Sequence, residues 1–264
     1  MALTLWMGLW DRKAERLGYT SSMTDVFWRL MRVLVIIPAY NEEDSILRVA
    51  NSVADAGYDY LVVIDGASDG TLEVCRENNL NYVNLRINLG IGGAVQTGHK
   101  YAIDHGYDVD VQFDGDGQHD VNCIPLLLER IEKGADLVIG SRFISGDSEG
   151  FQSTRARRMG IQWLKMCIRV VTGLRITDAT SGFRASGRRA MALFANDYPV
   201  DYPEPESIVA AYNSGLRVRE VPVVMHERQG GTSSINLFKS VYYMIKVTLA
   251  IMIEGASSFG RKGA

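Results

Sequence analysis

Cysteine is scarce in this 264-residue chain: Cys75, Cys123 and Cys167 are widely spaced, odd in number and form no CxxC pair. That excludes a disulfide framework and a structural zinc site, and it is the usage of a reducing compartment. An excess of positive charge is also missing. With 28 Lys and Arg against 31 Asp and Glu, a net charge of -3 and a pI near 5.9, the chain does not hold nucleic acid or anionic lipid through bulk charge, which leaves local basic patches. The opening MALTLWMGLW carries no basic residues before its apolar run and no small-residue cleavage site after it, so no secretory signal is expected. Disorder is excluded by what is present. Hydrophobic residues make up 47% of the chain and charged residues 22%, enough apolar side chain to offset the entropy of ordering a core. One large α/β domain with small appendages is the expectation.

From Arg32 onward, short β-rich apolar runs alternate with longer segments of helical period. VLVIIP (33–38), YLVVID (60–65), NYVNLRI (81–87), VDVQFD (109–114) and ADLVIG (135–140) are predicted strands, whose unbroken apolar character suits burial on both faces of a mainly parallel sheet. Helices are predicted over 42–56, 70–79, 92–105 and 121–133. Such alternation implies right-handed βαβ units and a Rossmann-like sheet flanked by helices. Beyond Arg142 the pattern changes to a Gly/Ser-rich stretch, a basic helical segment, TDATSGFRAS, a helix over 207–215 and a strand in REVPVVMHER. The predicted domain covers 31–234, with residues 1–30 as an extension and 235–264 as a C-terminal amphipathic segment.

Ligands in open α/β sheets collect at the carboxyl ends of the strands, and here polar residues crowd each of those ends. Asp114-Gly115-Asp116-Gly117-Gln118 follows the fourth strand. Two carboxylates two residues apart, with glycines that let the chain bend, can hold a hard divalent cation together with substrate phosphates; a plain Asp/Gly turn has the same composition. An EF-hand is excluded, because Pro125 stands where its twelfth-position Glu belongs. Gly66-Ala67-Ser68-Asp69-Gly70 satisfies the G-x-S-x-G elbow of serine hydrolases, with Asp178 or Asp201 and then His226 to complete a triad. Asp65 and Asp69 beside Ser68 oppose that reading, and a turn capping the next helix competes with it. NLGIGGAVQTGHK fails both nucleotide fingerprints at Val95 and His99, leaving a glycine-rich helix start that favours an anion. His99 and His105 are expected on a helix in solvated positions, while His119 adjoins the acidic segment. His226 and Arg228 precede a Gly-Gly-Thr-Ser-Ser turn able to hold phosphate.

Taken in order, IIPAYNEE (36–43), VIDGASDGT (63–71), NLGIGGAVQTG (88–98), QFDGDGQHD (112–120), GSRF (140–143), TDATSGFRA (177–185), EPES (204–207) and VPVVMHERQGGTSSI (221–235) resemble a family 2 glycosyltransferase of GT-A fold, in the branch similar to dolichol-phosphate mannose synthase. The resemblance implies a nucleotide-sugar donor, Mg²⁺ or Mn²⁺, and inversion at the anomeric carbon. It places Pro38, Tyr40, Glu42 and Asp65 around the base and ribose, Asp114, Asp116 and Gln118 at the metal and diphosphate, and Arg142 and Arg228 toward phosphates. Asp116 is thereby also a catalytic candidate. Two departures bear on base recognition: a single aspartate precedes Gly66 where many members have two, and Ala67 replaces the usual serine.

A nucleoside diphosphate departs with growing negative charge, which a cation and arginines stabilise where it develops. An acceptor hydroxyl requires a carboxylate base, for which Glu204 and Glu206 are the candidates, with helix capping as the competing role. A lipid-phosphate acceptor is already anionic and requires none. The segment INLFKSVYYMIKVTLAIMI (235–253) approaches a membrane span in length but is interrupted by Lys239 and Lys246, favouring an interfacial helix or one packed on a small membrane partner protein; a core helix is the alternative. The leading expectation is therefore transfer to a polyprenyl phosphate or lipid-linked glycan, peripheral to the cytoplasmic face of a membrane. Transfer to a saccharide hydroxyl, a serine hydrolase using Ser68 and a non-catalytic nucleotide-sugar-binding subunit are the alternatives.

Overall fold

The computed structural model describes residues 31–144, 155–200, 202–225 and 237–261. Its strands are β1 (Val33–Ala39), β2 (Asp59–Asp65), β3 (Tyr82–Leu85), β4 (Val109–Gln112), β5 (Leu137–Ser141), β6 (Arg184–Gly187) and β7 (Val218–Pro222). The helices are α1 (Ile46–Asp55), α2 (Thr71–Glu77), α3 (Gly90–Asp104), α4 (Ile124–Glu132), α5 (Arg155–Thr172), α6 (Arg188–Asn196), α7 (Pro203–Asn213) and α8 (Leu237–Arg261). The strands form one sheet in the order β3-β2-β1-β4-β6-β5-β7. All pairings are parallel except those of β6, which runs antiparallel between β4 and β5.

The apolar runs become strands because both faces of the sheet are covered. Every residue of β1 is buried, and its side chains alternate between layers as a pleated strand requires. Val33, Val35 and Ile37 join Val49, Val53, Ile124 and Leu127 from α1 and α4 on one face. Leu34 and Ile36 meet Ala94, Ala102 and Met191 from α3 and α6 on the other. A further cluster joins Leu137 and Ile139 of β5 to Leu164, Ile168, Ile208, Val247 and Ile251, so α5, α7 and α8 complete that face beyond α6.

Three local expectations are corrected. The strand Arg-Ala-Ser-Gly of β6 is missed by an apolar-run criterion, because it is short and its place is secured by neighbours on both sides. The helix expected over 207–215 begins at Pro203, so Glu204 and Glu206 lie in its first turn rather than before it. Proline is tolerated there because the first amides of a helix have no intrahelical acceptor. His99, expected to be solvated, is 2% exposed; its Nδ1 lies 2.6 Å from Oδ2 of Asp110 on β4, and its ring meets Phe194 and Tyr198. The cause is close packing: a Cβ on Gly98 would fall 2.4 Å from Ile36 Cγ2, so α3 lies low over β1 and carries the next side chain inward. His105 is exposed and stacks on Tyr101.

Candidate active site

At the carboxyl ends of β1, β2 and β4 lies a cleft of about 420 Å³. Pro38, Tyr40 and Glu42 line it from the end of β1, Asp65 from β2, Asn88 and Gly90 from the entry to α3, Asp114 and Asp116 from the end of β4, and Glu204 from the first turn of α7. Seven of the residues singled out from the sequence are thus brought together from four separate segments. Its walls are tied to one another. Asp65 Oδ1 accepts the Leu89 N–H at 2.7 Å, holding the end of β2 against the start of α3. The Ser45 hydroxyl lies 2.8 Å from Glu42 Oε2 and 2.7 Å from the Gly115 carbonyl oxygen, bridging the ends of β1 and β4. Tyr40 is 51% exposed at the rim.

Asp114 faces the cleft with its side chain 35% exposed. Its Oδ2 accepts from His119 Nε2 at 3.0 Å, and Gln112 Nε2 approaches Oδ1 at 3.5 Å. Burial raises the Asp114 pKa, but the His119 ring, Gln112 and the Arg142 charge together outweigh it and hold the carboxyl below the usual range. Asp116 Oδ1 accepts the backbone N–H of Gln118 at 3.0 Å. Glu204 is shifted the other way: burial raises its pKa and the Asp114 charge adds to this, with Arg184 opposing. One wall of the cleft therefore holds a firmly ionised carboxylate and another a more basic one.

Other expected residues have different placements. Gln118 donates its backbone N–H to Asp116 Oδ1, and Glu206 lies in the first turn of α7; neither is among the residues lining the cleft. Arg142 is paired with Asp178: Nε and Nη2 donate to its two oxygens at 2.6 and 2.8 Å, and Nη2 also donates to Thr180 Oγ1. It reaches the site as a charge near Asp114. Arg228, His226 and Asp201 lie outside the described residues. Ser68 is exposed and its hydroxyl lies 3.4 Å from Asn41 Oδ1, while Asp178 is bound by Arg142; among the described residues no histidine activates Ser68. Asp69 instead accepts the N–H and hydroxyl of Thr71, the turn-and-cap role.

Sequence reasoning assigned no role to Asn88, His119 or Gly182, and it placed Asp178 in a hydrolase triad rather than against Arg142. Asn88 Oδ1 accepts the Gly90 N–H at 2.9 Å and so closes the start of α3. A Cβ on Gly182 would lie 2.9 Å from Asp114 Oδ2 and 3.0 Å from Asp114 Oδ1, so glycine there leaves space for that carboxylate. The only signal of the Gly182 role was its place in TDATSGFRA, since the partner is 68 positions away in the chain.

Among the described residues no group of three or more His, Cys, Asp or Glu could by itself enclose a metal ion. The donors present nevertheless suit a hard divalent cation shared with a ligand. Asp114 and Asp116 supply carboxylates at the cleft wall, each carboxylate oxygen has two lone pairs so that one hydrogen bond does not exhaust it, and such cations complete their shell with phosphate and water oxygens.

The fold is that of a GT-A glycosyltransferase. Glucosyl-3-phosphoglycerate synthase from Mycobacterium tuberculosis, solved with Mn²⁺ and UDP-glucose, superposes with a TM-score of 0.68 at 16% identity over 89% of this chain and 82% of that one. The family described as Glycosyl transferase family 2 matches residues 34–192, and the chain belongs to that family: it is a glycosyltransferase. An undecaprenyl-phosphate mannosyltransferase of Micrococcus luteus is 35% identical over 217 residues, covering 78% of this chain and 88% of the relative. A UDP-N-acetylglucosamine–dolichyl-phosphate N-acetylglucosaminyltransferase of Methanococcus voltae is 28% identical over 247 residues, covering 84% and 98%.

Proposed function

We propose that this enzyme transfers a sugar, with inversion, from a nucleoside-diphosphate sugar to a polyprenyl phosphate at the cytoplasmic face of a membrane. The observation that carries the reading is the pair Asp114 and Asp116 on a cleft that also holds Tyr40, Asp65 and Glu204. Asp114 and Asp116 would hold Mg²⁺ or Mn²⁺, which when bound supplies charge stabilisation to the departing diphosphate. Tyr40 offers an exposed ring on which a base can stack, and Asp65 and Glu42 offer carboxylates to ribose hydroxyls. Arg142 adds positive potential from behind Asp114. An acceptor phosphate brings its own anionic oxygen, so no side chain has to remove a proton before attack. The names of the Micrococcus and Methanococcus relatives, both acting on polyprenyl-type phosphates, support this acceptor, and they differ in the sugar.

Incubation with UDP- and GDP-hexoses, Mn²⁺ and either a polyprenyl phosphate or a soluble oligosaccharide tests the reading. A sugar-labelled lipid phosphate is expected. Transfer to the oligosaccharide alone would replace this reading with saccharide synthesis, which the raised pKa of Glu204 favours, because a more basic carboxylate at the cleft suits removal of a hydroxyl proton.

The surface opposite the sheet supports a membrane-bound acceptor. On α5, Met159, Trp163, Met166 and Val170 are exposed at helical spacing, and on α8 so are Ile245, Leu249, Met252 and Ile253. The two helices pack side by side, with Trp163 Nε1 donating to Thr248 Oγ1 at 2.9 Å. The α5 sequence has five basic residues and no acidic one, a local asymmetry within an acidic chain that suits an anionic lipid surface. No helix among the described residues is long and apolar enough to cross a membrane, so the contact proposed is peripheral. Co-sedimentation with phosphatidylglycerol-containing vesicles is expected, with weaker binding to pure phosphatidylcholine. Replacing Met166 and Leu249 by Ser removes burial of ~1.5–3 kcal/mol each and is expected to weaken partitioning at least about tenfold. Equal partitioning of the wild type and this variant would refute the contact.

A further inference from the structure

We infer that His119 is a positioning residue for Asp114, locking the carboxylate into the orientation in which it faces the cleft. The inference rests on the proposed use of Asp114 as a cation ligand and adds a residue to that machinery. His119 is 5% exposed, and among the described residues its one side-chain hydrogen bond runs from Nε2 to Asp114 Oδ2. An ionised carboxylate only accepts, so the geometry places the hydrogen on Nε2. The other ring nitrogen, Nδ1, is buried and has no hydrogen-bond partner among the described residues.

A buried imidazole leaving one nitrogen unserved costs free energy that an aromatic hydrocarbon of similar shape would avoid. The surroundings are those of an aromatic hydrocarbon: the ring stacks on Phe183 with centroids 4.9 Å apart and meets Phe113 edge-on at 5.4 Å. Packing alone therefore does not account for histidine here, whereas the single donor aimed at Asp114 does. The ring is also well braced. Phe113 precedes Asp114 in the chain, Phe183 follows the glycine that leaves space for the same carboxylate, and the His119 backbone is bridged to Met225. Asp114 is thus held by a donor that cannot itself swing away. Groups behind a metal ligand fix its direction in this manner, and their loss commonly weakens metal binding about 10–100-fold.

The test measures Mn²⁺ binding directly, by electron paramagnetic resonance of free Mn²⁺ in the presence of UDP or GDP, without turnover. His119→Phe keeps the stack and removes the donor, and His119→Gln restores an N–H donor. The Phe variant is expected to bind Mn²⁺ about 10–100-fold more weakly with its melting temperature retained, and the Gln variant to recover most of the loss. Gly182→Ala, whose new methyl displaces Asp114 directly, is expected to weaken Mn²⁺ binding in the same assay. Should His119→Phe not fold, Phe183→Leu loosens the brace while leaving Nε2 in place and is expected to weaken binding by a smaller factor. Wild-type Mn²⁺ affinity in the Phe variant, or equal losses in Phe and Gln, overturns the role of His119 while the cation reading stands. Failure of the wild type to bind Mn²⁺ with either nucleotide overturns the cation reading itself, and the inference with it.

Discussion

Asp116→Ala is expected to lower sugar transfer on the order of 10³-fold, because a carboxylate that holds a cation against the leaving diphosphate acts where charge develops. The fold should not suffer to match. Asp116 lies in a turn beyond β4, where its Oδ1 accepts the Gln118 N–H, and it belongs to none of the apolar clusters, so its removal opens no cavity in either core layer. The change in unfolding free energy is expected to stay within about 1 kcal/mol. Thermal melts separate the two effects. A nucleotide at ~100 times its dissociation constant stabilises the wild type by about 2.7 kcal/mol, and the part of that shift requiring Mn²⁺ is expected to vanish in the variant. Ser68→Ala serves as the counter-test, since a hydrolase built on Ser68 would lose activity there and keep it in Asp116→Ala. That pattern of activities would remove the cleft reading altogether.

Arg142→Leu is expected to cost about 3–5 kcal/mol of stability, the usual consequence of stranding one member of a buried ion pair. Asp178 is fully buried, and both its oxygens are engaged by the Arg142 guanidinium, with the Arg142 N–H adding a longer contact at 3.2 Å. Leucine would leave that carboxylate with the Arg142 backbone N–H and the Thr180 hydroxyl, both neutral donors. Urea unfolding measures the loss. Arg142→Leu combined with Asp178→Leu is expected to recover much of it, because the stranded charge is then gone. The resemblance points Arg142 at a donor phosphate, and the two roles leave different traces. A phosphate contact predicts a higher donor KM in the stable double variant, whereas an arginine whose main work is to pair Asp178 predicts a donor KM close to wild type there. Unchanged stability in the single variant would show that the pair holds nothing together.

Much of the fold was legible from local pattern. VLVIIP and YLVVID read as strands buried on both faces, because they are short, rich in β-branched residues and continuously apolar, and both lie inside the sheet with a neighbour on each side. The strand-end rule then located the cleft, and Pro38, Tyr40, Glu42, Asp65, Asp114, Asp116 and Glu204 all line it. Where the reading fell short, the missing information was in residues distant along the chain. His99 looks like a surface helix residue until Gly98 lets α3 settle onto Ile36, and nothing in its own neighbourhood announces Asp110.

The amino-acid sequence by itself determined the class of fold, the alternation of strand and helix, and the segments that meet at the cleft, because burial pattern and backbone preference act over a few residues and are written in them. Only the tertiary structure decided that β6 inserts antiparallel between β4 and β5, that Arg142 closes on Asp178, and that His119 and Gly182 shape the place of Asp114. Those contacts join residues brought together by strand order, and each depends on a distance of a few ångströms that no local preference encodes.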